Sequence, residues 1–145
     1  MLSNSQLFDW AGQLAMLGWF TLVFLPRRWQ LLNWVPGYII PLALSLLYAG
    51  LILANFFTVE GGGYSSLAKV RALFSQEELL LAGWVHYLAF DLFVGAWIAR
   101  SADEIGLSRL FQAPIFAATL MFGPVGLALF LLIRLHFTRD IKAMS

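Results

Sequence analysis

Hydrophobic residues in this chain gather into four long runs rather than into narrow stripes. The runs cover about Leu7 to Leu25, Val35 to Phe57, Glu78 to Ala99 and Ile115 to Leu135. Each holds roughly 20 residues, enough for a helix to cross about 30 Å of hydrocarbon at 1.5 Å per residue. None alternates apolar and polar residues as a barrel strand does. Backbone inside lipid must satisfy its own hydrogen bonds, which here leaves helices. The pattern therefore predicts an all-α fold. It is a four-helix transmembrane bundle with antiparallel neighbours, built as one integral membrane domain over residues 1–145.

Punctuation between the runs refines this picture. Pro26-Arg27-Arg28-Trp29 ends the first run, Trp29 and Trp34 form an aromatic belt, and Pro36 opens the second run. The longest connection, about Thr58 to Gln76, contains Gly61-Gly62-Gly63 and a short amphipathic piece, Ser66 to Phe74. That piece reads as an interfacial helix with Lys69 and Arg71 towards the headgroups. Ser75-Gln76-Glu77-Glu78 reads as an N-cap with acids in the first turn. Pro124, between Gly123 and Gly126, predicts a kink in the fourth helix, beside the third near Asp91. Four spans place both termini on one face. Lys69, Arg71, Arg134, Arg139 and Lys142 then share that face, against Arg27, Arg28, Arg100 and Arg109 on the other. The basic residues give no clear orientation, although the first span alone favours a cytoplasmic Arg27 and Arg28.

Composition agrees. Of 145 residues, 61% are hydrophobic and 12% charged, too few charges to coat a soluble domain. The net charge of +1, with no basic run, argues against nucleic acid as a partner. The absence of cysteine excludes disulfides, thiolate metal sites and thiol nucleophiles. No basic n-region precedes the first run, so it reads as a span and not a cleaved signal, and no transit peptide is visible. The two halves differ in their polar residues, which argues against an inverted-repeat transporter.

An ionisable residue inside a span is costly and marks candidate chemistry. The third run holds two, His86 and Asp91. Five residues apart, they differ in direction by about 140° on a regular helix, so they reach opposite edges of the bundle interior and not one crevice. Tyr87 precedes Asp91 by one turn. Reading depth from alternating helix directions, Asn55, Glu78 and Arg134 fall towards the terminus face, Tyr48 and His86 one level deeper, and Asp91 and Thr119 deeper again. These residues outline a polar pocket with an aromatic wall, suited to an amphipathic or isoprenoid-like ligand. The spacing offers no tight pair of metal ligands, so no metal site is expected. Haem ligation by His86 and His136 would need one depth, which they do not share. Nucleotide and nucleophile-elbow motifs are absent.

Two segments carry a resemblance. The run Trp84-Val85-His86-Tyr87-Leu88-Ala89-Phe90-Asp91-Leu92-Phe93-Val94-Gly95-Ala96-Trp97-Ile98 resembles the signature of the abscisic-acid-deficient-four-like membrane proteins, whose plant members are known as neoxanthin synthase. Phe122-Gly123-Pro124-Val125-Gly126 is similar to that family's Phe-Gly-Pro-x-Gly motif. With no transit peptide, the chain looks like a bacterial member placed in the inner membrane. The resemblance implies an isomerisation of an epoxycarotenoid-like lipid, in which an epoxide opens while a neighbouring proton leaves. No electrons are exchanged, so no redox cofactor is needed. It implies His86 and Asp91 as the acid–base groups; the depth and spacing of the polar residues place Tyr48, Asn55, Glu78, Tyr87, Thr119 and Arg134 around the substrate. Two other functions fit the same features: a non-enzymatic lipid-binding or pathway-assembly protein, and a small proton-coupled transporter working as a homo-oligomer.

Overall fold

The computed structural model describes residues 2–27 and 30–143, and among them every regular element is helical. Helix α1 spans Asn4–Phe24. Its start is a capping box that sequence reading missed: the Ser3 hydroxyl accepts from the Gln6 amide at 3.2 Å, and the Gln6 side chain accepts from the Ser3 amide at 2.9 Å. A short helix α2 (Gln30–Trp34) leads through a π-helical turn (Val35–Ile39) into α3 (Ile40–Asn55). Helical backbone therefore precedes Pro36 and does not begin there. The wider turn fits a segment with prolines at 36 and 41, since Pro41 has no amide hydrogen to give a carbonyl one turn earlier. Helix α4 (Leu67–Phe74) is the amphipathic piece expected, capped by the Ser66 hydroxyl.

Helix α5 (Glu77–Glu104) is the central element, with α1, α3, α4, α6 and α7 all packed against it. Its N-cap is Gln76 and not Ser75, whose hydroxyl turns back to Ala72 O at 2.6 Å. Small residues on α5 let large neighbours in. At Gly95 a β-carbon would lie 2.9 Å from Cζ3 of Trp19, and Trp19 is buried there. Among the described residues three helical stretches are long and apolar enough to cross a membrane: Asn4–Phe24, Leu32–Thr58 and Glu77–Glu104.

The expected fourth span takes a different form. Helix α6 (Arg109–Phe122) and helix α7 (Pro124–Ala143) are separate, divided by Gly123 at φ 43°. Side-chain contacts give their directions. Along α6, Gln112 meets Asp103 and Leu120 meets Tyr87, so α6 runs antiparallel to α5. Along α7, Gly123 lies against Asp91, whereas Phe130 and Arg134 lie against Trp97. Helix α7 thus travels back the way α6 came. The two form a hairpin whose tip reaches the middle of α5, and the four-helix bundle gives way to three long helices plus this hairpin. At 14 residues α6 is roughly 21 Å long, short of the ~30 Å of hydrocarbon. The expectation that both termini share one end is overturned for the same reason. Asn4, beside Glu78, and the last turn of α7 stand at opposite ends of the bundle.

Candidate functional site

The polar residues of α5 serve two separate places. Successive residues of a helix point about 100° apart. Gly83, His86 and Phe90 face α3 and the glycine-rich loop, whereas Trp84, Tyr87 and Asp91 face the other flank. The structure therefore does not bring His86 and Asp91 to one cavity, as their angular separation implies.

On the first flank is a cavity of about 450 Å³, lined by Tyr48, Ile52, Tyr64, Leu73, Phe74, Leu79, Gly83 and His86. The His86 ring stacks on Phe90 at 4.6 Å and tilts against Tyr48 at 5.4 Å. His86 is exposed, and no described residue hydrogen-bonds its imidazole. Tyr64 was not anticipated. It comes from the connection after α3, which doubles back at Gly61 (φ 72°) so that the Tyr64 ring stacks on Phe56 at 5.2 Å. Gly62 is needed for the close pass, because a β-carbon there would lie 2.6 Å from Cδ2 of Leu73. The three consecutive glycines were the only signal in the sequence for this return. Although Tyr64 is 66% exposed, slight desolvation raises its phenol above the ordinary value, and the neighbouring Tyr48 adds to the shift.

On the second flank, an open groove of about 860 Å³ runs past Phe8, Leu80, Leu81, Trp84 and Tyr87, with Asn4, Ser5 and Glu77 at its rim. The Phe74 ring sits over Gly83 and borders both this groove and the His86 cavity. Tyr87 stacks on Trp84 at 5.4 Å, and its hydroxyl donates to Leu120 O at 2.8 Å, tying α5 to the hairpin. Tyr87→Phe is expected to lower stability by about 1 kcal/mol, the usual worth of one such bond, read as a lower unfolding midpoint in detergent.

Asp91 is buried, with 8% exposure, under the hairpin tip. Its Oδ2 has no hydrogen-bond partner among the described residues, and its Oδ1 lies 2.5 Å from where a β-carbon on Gly123 would stand. Glycine at 123 thus serves both the positive φ and the approach of the carboxyl. Thr119 is fully buried and donates to Ile115 O at 2.8 Å, so its hydroxyl is spent within α6.

The remaining residues expected around a substrate are spread out. Asn55 donates to Leu51 O at 2.8 Å, within its own helix. Glu78 accepts from Asn4 at 3.3 Å, fastening α1 to α5. Arg134 lies over the Trp97 ring at 5.8 Å, not level with Asn55 and Glu78, because α7 runs the other way. Sequence reading also missed a polar cluster at the far end. There Nη1 of Arg27 donates to Asp103 at 2.9 Å, Gln112 Oε1 at 2.7 Å and Ala99 O at 3.1 Å. Burial lowers the Arg27 pKa from its ordinary value, and the Asp103 carboxylate works against that shift. Among the described residues no group of three His, Cys, Asp or Glu side chains could hold a metal ion.

These features define an all-helical membrane protein with aromatic-lined cavities on two flanks of one central helix. The family model described as ABA DEFICIENT 4-like matches residues 6–130, and the chain belongs to this ABA4-like family. The match covers nearly all of α1, all of the helices from α2 to α6 and the first turns of α7. No curated protein and no solved structure matches the chain.

Proposed function

We propose that this protein binds a carotenoid-like or other isoprenoid lipid in the membrane and rearranges it by acid–base chemistry, without a redox cofactor. One observation carries the reading. His86, exposed and with no hydrogen-bond partner among the described residues, packs between Tyr48 and Phe90 and lines a cavity that is otherwise mostly apolar. Family membership supports a carotenoid-related role in general terms. Catalysis by His86 needs only that one group deliver a proton to an oxygen of the ligand's end ring while another removes a carbon-bound proton, and Tyr48 and Tyr64 line the same cavity. In this reading Asp91 lies on the opposite flank of α5, packed against Gly123 at the hairpin tip, and does not touch the ligand.

A second reading, a binding or carrier protein without turnover, draws on the larger groove. Its wall is aromatic and aliphatic, and its Tyr87 hydroxyl is already engaged. The two readings separate on His86→Phe, which keeps the ring stack and removes both nitrogens. Cells supplied with epoxy- and non-epoxycarotenoids would be extracted and the products resolved by chromatography. Turnover is expected to fall by about 10²-fold or more while lipid co-purifying with the protein is retained. Unchanged turnover would remove His86 from the site, and absence of any co-purifying isoprenoid would defeat both readings.

A further inference from the structure

The basic residues at the α5 C-terminal end are not equally occupied. The terminal nitrogens of Arg27 donate to Ala99 O, Asp103, Gln112 and Leu22 O, while its Nε has no partner among the described residues, and Arg109 donates to Leu25 O at 3.1 Å. Arg100 makes no hydrogen bond and no ion pair among the described residues. Its guanidinium lies 5.7 Å from the Tyr38 ring centroid, and Nη1 is 2.9 Å from where a β-carbon on Gly37 would be. Asp103 is taken by Arg27, and Glu104, one turn along α5, does not reach Arg100 at ion-pair distance. Its five N–H donors thus meet no acceptor among the described residues, at the rim of a helix that enters an apolar layer.

Below Arg100, towards the middle of α5, a crevice of about 320 Å³ opens between the π-helical turn with the first turns of α3 and the Ala89–Phe93 stretch of α5. Tyr38, Pro41, Leu42, Phe90 and Phe93 form its walls, and Ser45 is the only polar side chain in it besides the Tyr38 phenol. Gly37 contributes no side chain at the mouth, which is what lets the guanidinium lie across it. The crevice therefore has an apolar interior and a cation with spare donors at its outer end. Phe90 separates it from His86, so it is distinct from the cavity used above.

We infer that this crevice is a binding site for an anionic phospholipid, with the phosphate on Arg100 and one acyl chain between α3 and α5. Charge complementarity selects the occupant. A zwitterionic lipid brings its own cation to a phosphate already balanced, whereas an anionic one supplies the charge that Arg100 lacks. Guanidinium geometry also suits two phosphate oxygens at once, which an ammonium cannot match.

The test uses the full chain in detergent, titrated by native mass spectrometry with phosphatidylglycerol and with phosphatidylcholine of the same acyl chains. Wild-type protein is expected to retain phosphatidylglycerol in preference. Arg100→Gln is expected to weaken that retention about fivefold, the effect of one basic residue at a membrane surface, with Arg100→Lys in between. Ser45→Phe, which fills the crevice and leaves the cation, is expected to lower retention as well. Equal retention of the two lipids by the wild type would overturn the proposal, as would an Arg100→Gln variant that still prefers phosphatidylglycerol. If inorganic phosphate or glycerol phosphate competed as well as the intact lipid, no chain would be bound, and the proposal would fall too. Should Arg100→Gln not fold, the wild-type comparison and Ser45→Phe decide the matter alone.

Discussion

Gly126→Ala is expected to force the α6–α7 hairpin apart. A β-carbon on Gly126 would fall on the Thr119 hydroxyl and amide nitrogen, and within 2.6 Å of the Thr119 Cα. Those are mainly backbone atoms of a fully buried residue, so no side-chain rotation relieves the overlap. Gly126 lies on ordinary right-handed helix, so the penalty is steric and not conformational. Overpacking of this kind costs about 3 kcal/mol, at the upper end of the usual range because backbone meets backbone. Gly12 and Gly50 supply the control, since a β-carbon at either meets nothing within 4 Å. Alanine there is expected to raise stability by about 0.5–1 kcal/mol through helix propensity. Unfolding midpoints in detergent would compare the three variants. Equal midpoints for Gly126→Ala and Gly12→Ala would show that α7 does not fold back on α6.

The second large effect concerns the sides of the membrane. With α1, α3 and α5 crossing and the α6–α7 hairpin entering and leaving from one side, the two ends of the chain are expected on opposite faces. Arg27, Arg100 and Arg109 then share the hairpin's side with the late α7 positions Arg139 and Lys142, while Lys69 and Arg71 hold the other. That imbalance places the hairpin's side in the cytoplasm, a preference that a fourth full crossing would have cancelled. The chain has no cysteine, so single substitutions report cleanly. Leu2→Cys and Ser65→Cys are expected to react with an impermeant maleimide from the outer side, and Glu104→Cys and Ala143→Cys from the cytoplasmic side. Labelling of Ala143→Cys together with Leu2→Cys would restore the four-crossing arrangement.

How far the site was legible in the sequence differs residue by residue. His86 and Asp91 stand out because ionisable groups inside apolar runs are rare, and helical geometry alone states that they diverge. Tyr64 was hidden in a connection, because its place depends on a loop that reverses at Gly61 and passes Leu73 closely. Arg100 looked like an ordinary end-of-span arginine, and only the count of its partners distinguishes it from Arg27. Arg134 was assigned to the wrong level because depth along α7 was counted through Gly123 as if the chain went on in the same direction.

The sequence by itself determined the all-helical class, the three long apolar helices, the amphipathic piece before α5 and the break at Gly123-Pro124. Each is written in local terms, as run length, a 3.6-residue repeat, a missing amide hydrogen or a residue without a β-carbon. Tertiary structure alone decided the sense of that break. A proline interrupts a helix whether the chain then bends slightly or reverses. Here the outcome rests on a glycine at φ 43° beside Asp91, a second glycine against Thr119, and Phe130 meeting Trp97 on α5. Asp91 and Trp97 lie more than thirty residues from the glycine and phenylalanine they meet, and no local periodicity records those meetings.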